Sequence, residues 1–187
     1  MRCYTDLGLI YKVYLDDYER SLEYGLKALE IAEELGNEVA IADFCNNIGN
    51  TYLFLDRIEE AEEVFLRAID LYKKNNKESE MVNTIINYGS IFGIRGDLES
   101  AIDEFKIAYQ ISKDHEDTQG EMNYLDMFAN YHLTMGKMKK DRGEKAKEEF
   151  RKADTYGLEL LSIAKKVGVD TARYYYYKIL IKFFSHG

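Results

Sequence analysis

The sequence predicts an all-α solenoid of antiparallel helix pairs, with about nine helices in total. Equivalent residues recur 40 positions apart, as Gly49 and Gly89 do, and a fixed period of this length is typical of stacked supersecondary units. Within each unit, apolar residues follow the 3- and 4-residue steps of amphipathic helices. The 187 residues include no proline and are 46% hydrophobic, which favours helices around a continuous core over disorder.

The 40-residue period divides a single domain, 1–187, into four units and a terminal helix. The expected units are 1–36, 37–76, 77–115 and 116–168, and the terminal helix covers 169–185. Gly36 and Asn37 predict the end of one helix and the cap of the next, because glycine tolerates a left-handed backbone and asparagine is a good cap. Asp56, with Glu59 three residues later, predicts a capping box at the start of a helix.

Three glycines fall in the middle of predicted first helices, at Gly8, Gly49 and Gly89. Glycine inside a helix costs about 1 kcal/mol relative to alanine, so its recurrence indicates a compensating close approach by a neighbouring helix. We expect alanines of the second helix to supply the facing small surface. Aromatic side chains one turn away are expected to fill the space between units, namely Tyr11, Tyr52, Phe65, Phe92 and Phe105.

These motifs resemble those of tetratricopeptide repeat proteins. The first-helix and second-helix patterns of that family are matched at Leu7-Gly8 with Tyr11, Ile48-Gly49 with Tyr52, Tyr88-Gly89 with Phe92, Ala61 with Phe65 and Ala68, and Ala101 with Phe105 and Ala108. The first unit departs from the pattern, with Ser21 and Gly25 at the alanine and aromatic positions, and the family's helix-ending proline is missing. These departures are similar to the longer variety of the family, with repeats of ~40 residues.

The resemblance implies a right-handed superhelix whose first helices line a concave groove, as in arrays of bacterial signalling and peptide-sensor proteins. In the first unit the groove positions include Thr5, Leu9 and Val13. The candidate peptide-binding residues of the later units are Asn46, Asn50, Phe54, Asn83, Asn87, Asn123 and Asn130. An asparagine amide donates to a peptide C=O and accepts from its N–H, so a ladder of them suits an extended backbone. The competing interpretation is that these amides bond only to neighbouring turns or to water.

We therefore expect a non-catalytic module that binds an extended protein or peptide segment, within a bacterial-type regulatory protein. The alternative is a structural element that forms a homodimer, or docks onto a further domain, through its apolar terminal helix. Only Lys178 and Lys182 mark a polar face on that helix, and a helix so apolar needs cover on more than one side. Its docking residues would be Tyr174, Tyr177, Ile181 and Phe184.

The fourth unit departs from the period through an insertion of 12 residues, 137–148. We expect both helices of this pair to be longer by about one and a half turns. The elongated hairpin, 137–152, is basic: residues 137–187 carry a net charge of +6 and residues 1–136 carry −15. Such asymmetry steers an acidic partner to one end or favours head-to-tail self-contact. Solvated helix faces without a role are the competing interpretation.

Several function classes find no support in the sequence. His115, His132 and His186 are scattered, without metal-ligand or catalytic spacing, so we expect no metal, no cofactor and no enzyme activity. The net charge of −9 disfavours nucleic acid as the ligand. No run of 18 apolar residues or signal peptide is present, so we expect a cytoplasmic protein. His132 is expected to pack in the core, and Cys45 to be a small buried hydrophobe.

Overall fold

A computed structural model describes residues 2–169 of the chain. The described residues form eight α-helices and no strand, which confirms the all-α prediction. The predicted ninth helix, 169–185, lies almost wholly outside the described residues. The helices are α1 (Arg2–Tyr14), α2 (Tyr18–Glu34), α3 (Glu38–Phe54), α4 (Ile58–Lys74), α5 (Glu78–Ile94), α6 (Leu98–Asp114), α7 (Thr118–Asp141) and α8 (Lys147–Val167).

The 40-residue period consists of two helix-and-turn steps of equal length. Helices α2 to α6 have 17 residues each, and each begins 20 residues after the one before it. Every connection from α1 to α7 contains one residue with positive φ, again at 20-residue intervals: Asp16, Gly36, Asp56, Asn76, Gly96 and Glu116. A left-handed residue after a helix reverses the chain direction within a short turn. The regular turn therefore sets the antiparallel arrangement of successive helices.

The turns show which predicted caps form. Asn37 caps α3 as predicted, because its Oδ1 accepts a hydrogen bond from the Ala40 N–H at 3.1 Å. The predicted capping box at Asp56 is wrong. Asp56 is the left-handed residue of the turn, with φ of 57°, and the N-cap of α4 is Arg57, which makes no side-chain cap bond. The turn needs one residue with a left-handed backbone, and Asp56 adopts this conformation because aspartate tolerates it better than most residues.

Contacts divide the chain into two compact units, Met1–Ile111 and Ser112–Gly187, which are described separately. In the first unit, α2 packs against α1 and α3, α4 packs against α3 and α5, and α3 also contacts α5. In the second unit α7 and α8 form one long pair. The predicted boundaries of four repeats in a single solenoid stay a prediction.

Inside the helix pairs, phenylalanine rings lie on glycines. A Cβ built on Gly49 would lie 2.5 Å from Cε1 of Phe65, and one built on Gly89 would lie 2.8 Å from Cε1 of Phe105. The predicted close approach at these glycines is confirmed, but the predicted partner is wrong, because the facing surface is a ring and not an alanine. Phe65 is fully buried in this position, and burial of a large side chain outweighs the helical cost of the glycine.

The fourth helix pair is longer than the others, as the insertion predicts. Helix α7 has 24 residues and α8 has 21, against 17 in the helices before them. The long pair carries a further ring-on-glycine contact, since a Cβ on Gly136 would lie 2.6 Å from Cε1 of Phe150. Phe150 belongs to a buried cluster with Ala129, Leu133 and Ala153. The core of this pair therefore includes residues on both sides of the insertion 137–148, and Ala146 within the insertion packs against it.

Gly49→Ala is expected to lower the free energy of unfolding by about 2 kcal/mol, because an overpacked core costs about 1–3 kcal/mol and the Phe65 ring against which the Cβ would lie is fully buried. Gly93→Ala is the matched control. Gly93 is exposed near the end of α5, with nothing within 4 Å of its Cβ position, so that variant is expected to gain up to about 1 kcal/mol. Urea unfolding followed by circular dichroism measures both. Equal losses in the two variants would contradict the ring-on-glycine contact.

Changes at two turn residues are expected to shift stability in opposite directions. Gly36 has φ of +63°, so Gly36→Ala is expected to lose about 1 kcal/mol from left-handed strain. Glu116 has φ of 56°, so Glu116→Gly is expected to gain less than about 1 kcal/mol, because relief of strain is partly offset by the freer unfolded chain. Thermal melts of both variants measure this, and shifts of the same sign would refute it.

Candidate functional site

Two of the predicted groove asparagines bond to each other across successive repeats. Nδ2 of Asn87 on α5 donates to Oδ1 of Asn46 on α3 at 3.0 Å. Both side chains are half-buried. The bond leaves Nδ2 of Asn46 as a donor and Oδ1 of Asn87 as an acceptor, and neither atom has a partner among the described residues. The pair thus presents the two hydrogen-bonding functions that a peptide group complements.

Two further asparagines extend this amide pair along the same helices. Asn50 lies one turn beyond Asn46, and its Nδ2 donates to the Asn46 backbone carbonyl at 3.3 Å. The Nδ2 group of Asn50 therefore bonds to a neighbouring turn of its own helix, as the competing interpretation of the asparagines expects. Oδ1 of Asn50 is left as an acceptor. Asn83 lies one turn before Asn87 and is exposed. Asparagine amides therefore follow one another on α3 and α5.

Phe54, the predicted aromatic residue of the groove, is 59% exposed at the end of α3. Its ring stacks on Tyr18 of α2, with centroids 4.8 Å apart and planes 7° apart. Nζ of Lys12 on α1 lies 5.0 Å from the centre of the same ring. Phe54 therefore holds a lysine near the surface formed by α1 and α3. Nothing in the spacing of the sequence indicated Lys12 as a site residue.

The other predicted site residues belong to the second compact unit. Asn123 and Asn130 are both exposed on α7, and Oδ1 of Asn123 accepts from Nε2 of Gln119 at 3.0 Å. Their membership of one groove with the first unit stays a prediction. The predicted docking residues Tyr174, Tyr177, Ile181 and Phe184 lie outside the described residues.

A partly buried hydrogen bond ties α3 to α4 beside the amide pair. The Tyr72 hydroxyl on α4 donates to Oδ1 of Asp43 at 2.5 Å. Burial and the Asp43 carboxylate raise the pKa of Tyr72. Asp43 lies one turn before Asn46, so the bond holds the α3 surface in place against the second helix of its pair. The sequence carried no signal for this contact because the two residues are 29 positions apart.

The first unit also contains a cavity of about 320 Å³ between α1, α2 and α3. Its lining is mainly apolar and includes the predicted groove positions Thr5, Leu9 and Val13, together with Lys12. A cavity of this size with a few polar groups is typical of a small-ligand or side-chain site. Gly25, which departs from the repeat pattern in the sequence, also lines the cavity. This departure is the one feature of the sequence that could have indicated the cavity.

In the second unit, the buried side chains of His132 and Glu149 form a polar cluster with the partly exposed Lys139. Nδ1 of His132 donates to Oε2 of Glu149 at 2.8 Å, and Nζ of Lys139 donates to Oε1 at 2.6 Å. Burial alone would raise the pKa of Glu149, but the bonds from Lys139 and His132 outweigh burial and lower it. The His132 ring also stacks on Tyr156, with planes 9° apart. His132 is thus packed in the core as predicted, and the cluster is a satisfied internal network.

Cys45 is fully buried, as predicted. Burial raises the pKa of its thiol to about 11, so it is a poor nucleophile at neutral pH. Arg67, which bonds to Glu33 at 2.5 Å, lies beside it. Within residues 2–169 no three His, Cys, Asp or Glu side chains are grouped as a metal site would need. No helix in this range combines the length and apolarity of a membrane span.

Comparison with known proteins supports a tetratricopeptide-like fold. Residues 2–74 match the family described as Tetratricopeptide repeat. Aspartyl phosphate phosphatase F from Bacillus subtilis is similar in structure, with a TM-score of 0.77 and 19% identity, over 100% of this chain and 45% of that one. RapI in its apo form has a TM-score of 0.63 and 19% identity, over 98% and 67% of the two chains.

A putative kinesin light chain from Podosopora anserina, described as having nearly identical TPR-like repeats, is also similar in structure. It has a TM-score of 0.67 and 12% identity, over 88% of this chain and 74% of that one. No curated protein sequence matches the chain. The chain is therefore tetratricopeptide-like in fold. It spans less than half the length of the Bacillus phosphatase.

Glu149→Gln is expected to lower stability by about 1–3 kcal/mol at neutral pH, because it removes the charge from a buried bonded carboxylate. A carboxylate with a lowered pKa stabilises the fold above its unfolded pKa, and this contribution is lost as pH falls through the lower folded value. The loss relative to wild type should therefore shrink below about pH 4.5, the ordinary value for this group.

The matched control is Glu148→Gln. Glu148 pairs with Arg151 on an exposed face, and such pairs contribute little to stability. Urea unfolding at neutral and acidic pH compares the two variants with wild type. A loss in Glu149→Gln that stays the same at every pH would contradict a charge-based role.

Proposed function

We propose that this chain is a non-catalytic interaction module that binds an extended peptide segment along α3 and α5. The observation that carries the proposal is the amide pair of Asn46 and Asn87, which bridges two repeats and leaves one donor and one acceptor available. An extended peptide has one N–H and one C=O per residue, and it needs donors and acceptors at intervals along its path.

The packing around the amide pair favours a preformed site. Asp43 is held by Tyr72, and Asn46 is held by Asn87. Side chains held before binding lose less conformational entropy when a partner arrives. Burial of α3 residues such as Ile48 and Tyr52 on the opposite side of that helix fixes the backbone. The surface can therefore bind a flexible segment without ordering itself first.

Charge favours a basic partner for this unit. Residues 1–111 contain 11 Lys and Arg against 22 Asp and Glu, a net charge of −11. A surface of one dominant sign raises the encounter rate with a partner of the opposite sign. The proposed peptide therefore carries net positive charge.

The setting of the module follows from its resemblances. Structural likeness to phosphatase F and RapI supports a place in a bacterial regulatory protein. The word phosphatase describes the Bacillus protein and is not carried over to this chain. The free thiols of Cys3 and Cys45 support a reducing compartment such as the cytoplasm. In this proposal the tetratricopeptide-like repeats recognise a segment, and any chemistry belongs to other proteins.

Asn46→Leu combined with Asn87→Leu is expected to weaken peptide binding at least about tenfold, since each lost peptide hydrogen bond is worth about 1 kcal/mol. Replacing both partners of the pair leaves no buried amide orphaned, so the fold should keep its stability. Peptides are first selected from a displayed random library, and their affinity is then measured by fluorescence anisotropy.

Glu63→Leu is the control for this measurement, because Glu63 is exposed on α4, away from the amide pair. It should cause at most a small loss of affinity, because it removes one negative charge that attracts a basic peptide. Selection of no peptide, or selected peptides that bind the double variant as tightly as wild type, would overturn the proposed function.

A further inference from the structure

The cavity in the first unit occupies the place where other helix pairs have a phenylalanine ring. Phe65 and Phe105 lie on Gly49 and Gly89 in the second and third pairs. The residue 40 positions before Phe65 is Gly25, which lines the cavity. The atoms nearest to the Cβ position of Gly8, the equivalent of Gly49, belong to Ser21, Tyr24 and Gly25 and lie 3.4 Å or more away.

Tyr24, the residue next to Gly25, does not fill this space. Its ring stacks on Tyr11, with centroids 5.4 Å apart and planes 16° apart, and also on Tyr4 at 6.1 Å. One residue along a helix is a rotation of about 100°, so Tyr24 faces a different direction from Gly25. The first pair therefore has an aromatic side chain at the neighbouring position and a cavity where the ring would lie.

The cavity has apolar walls and an accessible mouth. Phe44 and Ile48 of α3 and Ala28 of α2 are buried and form part of its lining. Leu9 and Val13 of α1, which also line it, are 58% and 57% exposed. An apolar cavity of about 150 Å³ is enough to bind benzene, so the 320 Å³ found here accommodates a phenyl ring with its attached chain.

A single cation lines the cavity beside these apolar groups. Lys12 is half-buried, and burial lowers its pKa. It forms no ion pair with a carboxylate among the described residues, although its Nζ lies over the Phe54 ring. A partly desolvated ammonium without a counter-ion favours a carboxylate supplied by a partner.

We propose that this cavity is the anchor pocket for the C-terminal aromatic residue of the bound peptide, with Lys12 receiving the terminal carboxylate. The inference rests on the proposed function and names the part of the peptide that enters the first unit. The ring takes the place that Phe65 and Phe105 fill in the other pairs. A net charge of −11 over residues 1–111 disfavours acidic side chains in the peptide, so the chain terminus is the source of the anion.

The proposal accounts for both kinds of charge in the first unit. The acidic unit attracts a basic peptide at long range, and Lys12 accepts one carboxylate at short range. A buried aromatic anchor surrounded by weaker contacts is the usual distribution of binding energy in a peptide interface. The amide pair of Asn46 and Asn87 then holds the backbone that precedes the anchor.

The first test uses three small probes: N-acetylphenylalanine, its C-terminal amide and N-acetylalanine. N-acetylphenylalanine is expected to shift the backbone amide NMR signals of Gly8, Gly25 and Ile48. Its affinity is expected to be about tenfold higher than that of its C-terminal amide. Lys12→Met keeps the apolar stem and removes the charge, so it should abolish that preference. Binding of N-acetylalanine as tight as that of the phenyl acid, or shifts confined to other residues, would overturn the pocket.

The second test fills the pocket from within. Gly25→Phe restores the repeat pattern, and it should abolish probe binding and raise the melting temperature. The Cβ would lie 3.2 Å from Cγ1 of Ile48, so Val13→Trp, at the exposed mouth, is a second variant that blocks the pocket without changing the core. Gly93→Phe adds the same side chain as Gly25→Phe at an exposed position and should leave binding unchanged. Full probe binding to both blocked variants would refute the inference.

The third test separates this inference from the function on which it rests. Basic peptides are first selected on the whole chain, and three forms of each are then compared. The first ends in phenylalanine as the free acid, the second ends in phenylalanine as the amide, and the third has the phenylalanine moved inside the sequence before a glutamate. We expect the free acid to bind at least about tenfold more tightly than the other two. Peptides that depend on Asn46 and Asn87 but bind Gly25→Phe and Val13→Trp at full affinity would refute the anchor pocket and leave the proposed function standing.

Discussion

The contact between a phenylalanine ring and a helical glycine is the constraint on which the helix pairs depend. The ring of Phe65 occupies the volume in which a Cβ on Gly49 would lie, so the two helices approach only as closely as this pair of residues allows. Phe105 with Gly89 and Phe150 with Gly136 repeat the contact. The 20-residue spacing of the starts of α3 to α6 places the contact at equivalent positions in the α3/α4 and α5/α6 pairs.

The proposed binding surface depends on the same constraint in two ways. Where the ring is present, α3 is held against α4, and its outward face carries Asn46 in position to bond with Asn87. Where the ring is missing, at Gly25, three helices enclose a cavity. In the proposed function, the regular pairs supply the backbone-binding surface, and the irregular first pair supplies the side-chain pocket. One repeated interaction and its single omission together produce an asymmetric site.

Much of the candidate site could be placed on the correct helix from the sequence. The period assigned Asn46 and Asn50 to α3 and Asn83 and Asn87 to α5, and it predicted that His132 is packed in the core. It could not predict the bond between Asn46 and Asn87, because a helical period gives the face of a residue and not its rotamer. The bond between Asp43 and Tyr72, which are 29 positions apart, could not be predicted for the same reason.

The sequence by itself determined the helical class, the pairing of neighbouring helices and the elongation of the fourth pair, because these follow from local periodicity and the spacing of turns. Only the tertiary structure decided that a ring faces Gly49, that Asp56 is a left-handed turn residue and not a cap, and that Gly25 leaves a cavity. These outcomes depend on volumes shared by residues from different helices. A missing side chain leaves an open pocket only if its neighbours do not close over it, and the positions of those neighbours are set by packing in three dimensions.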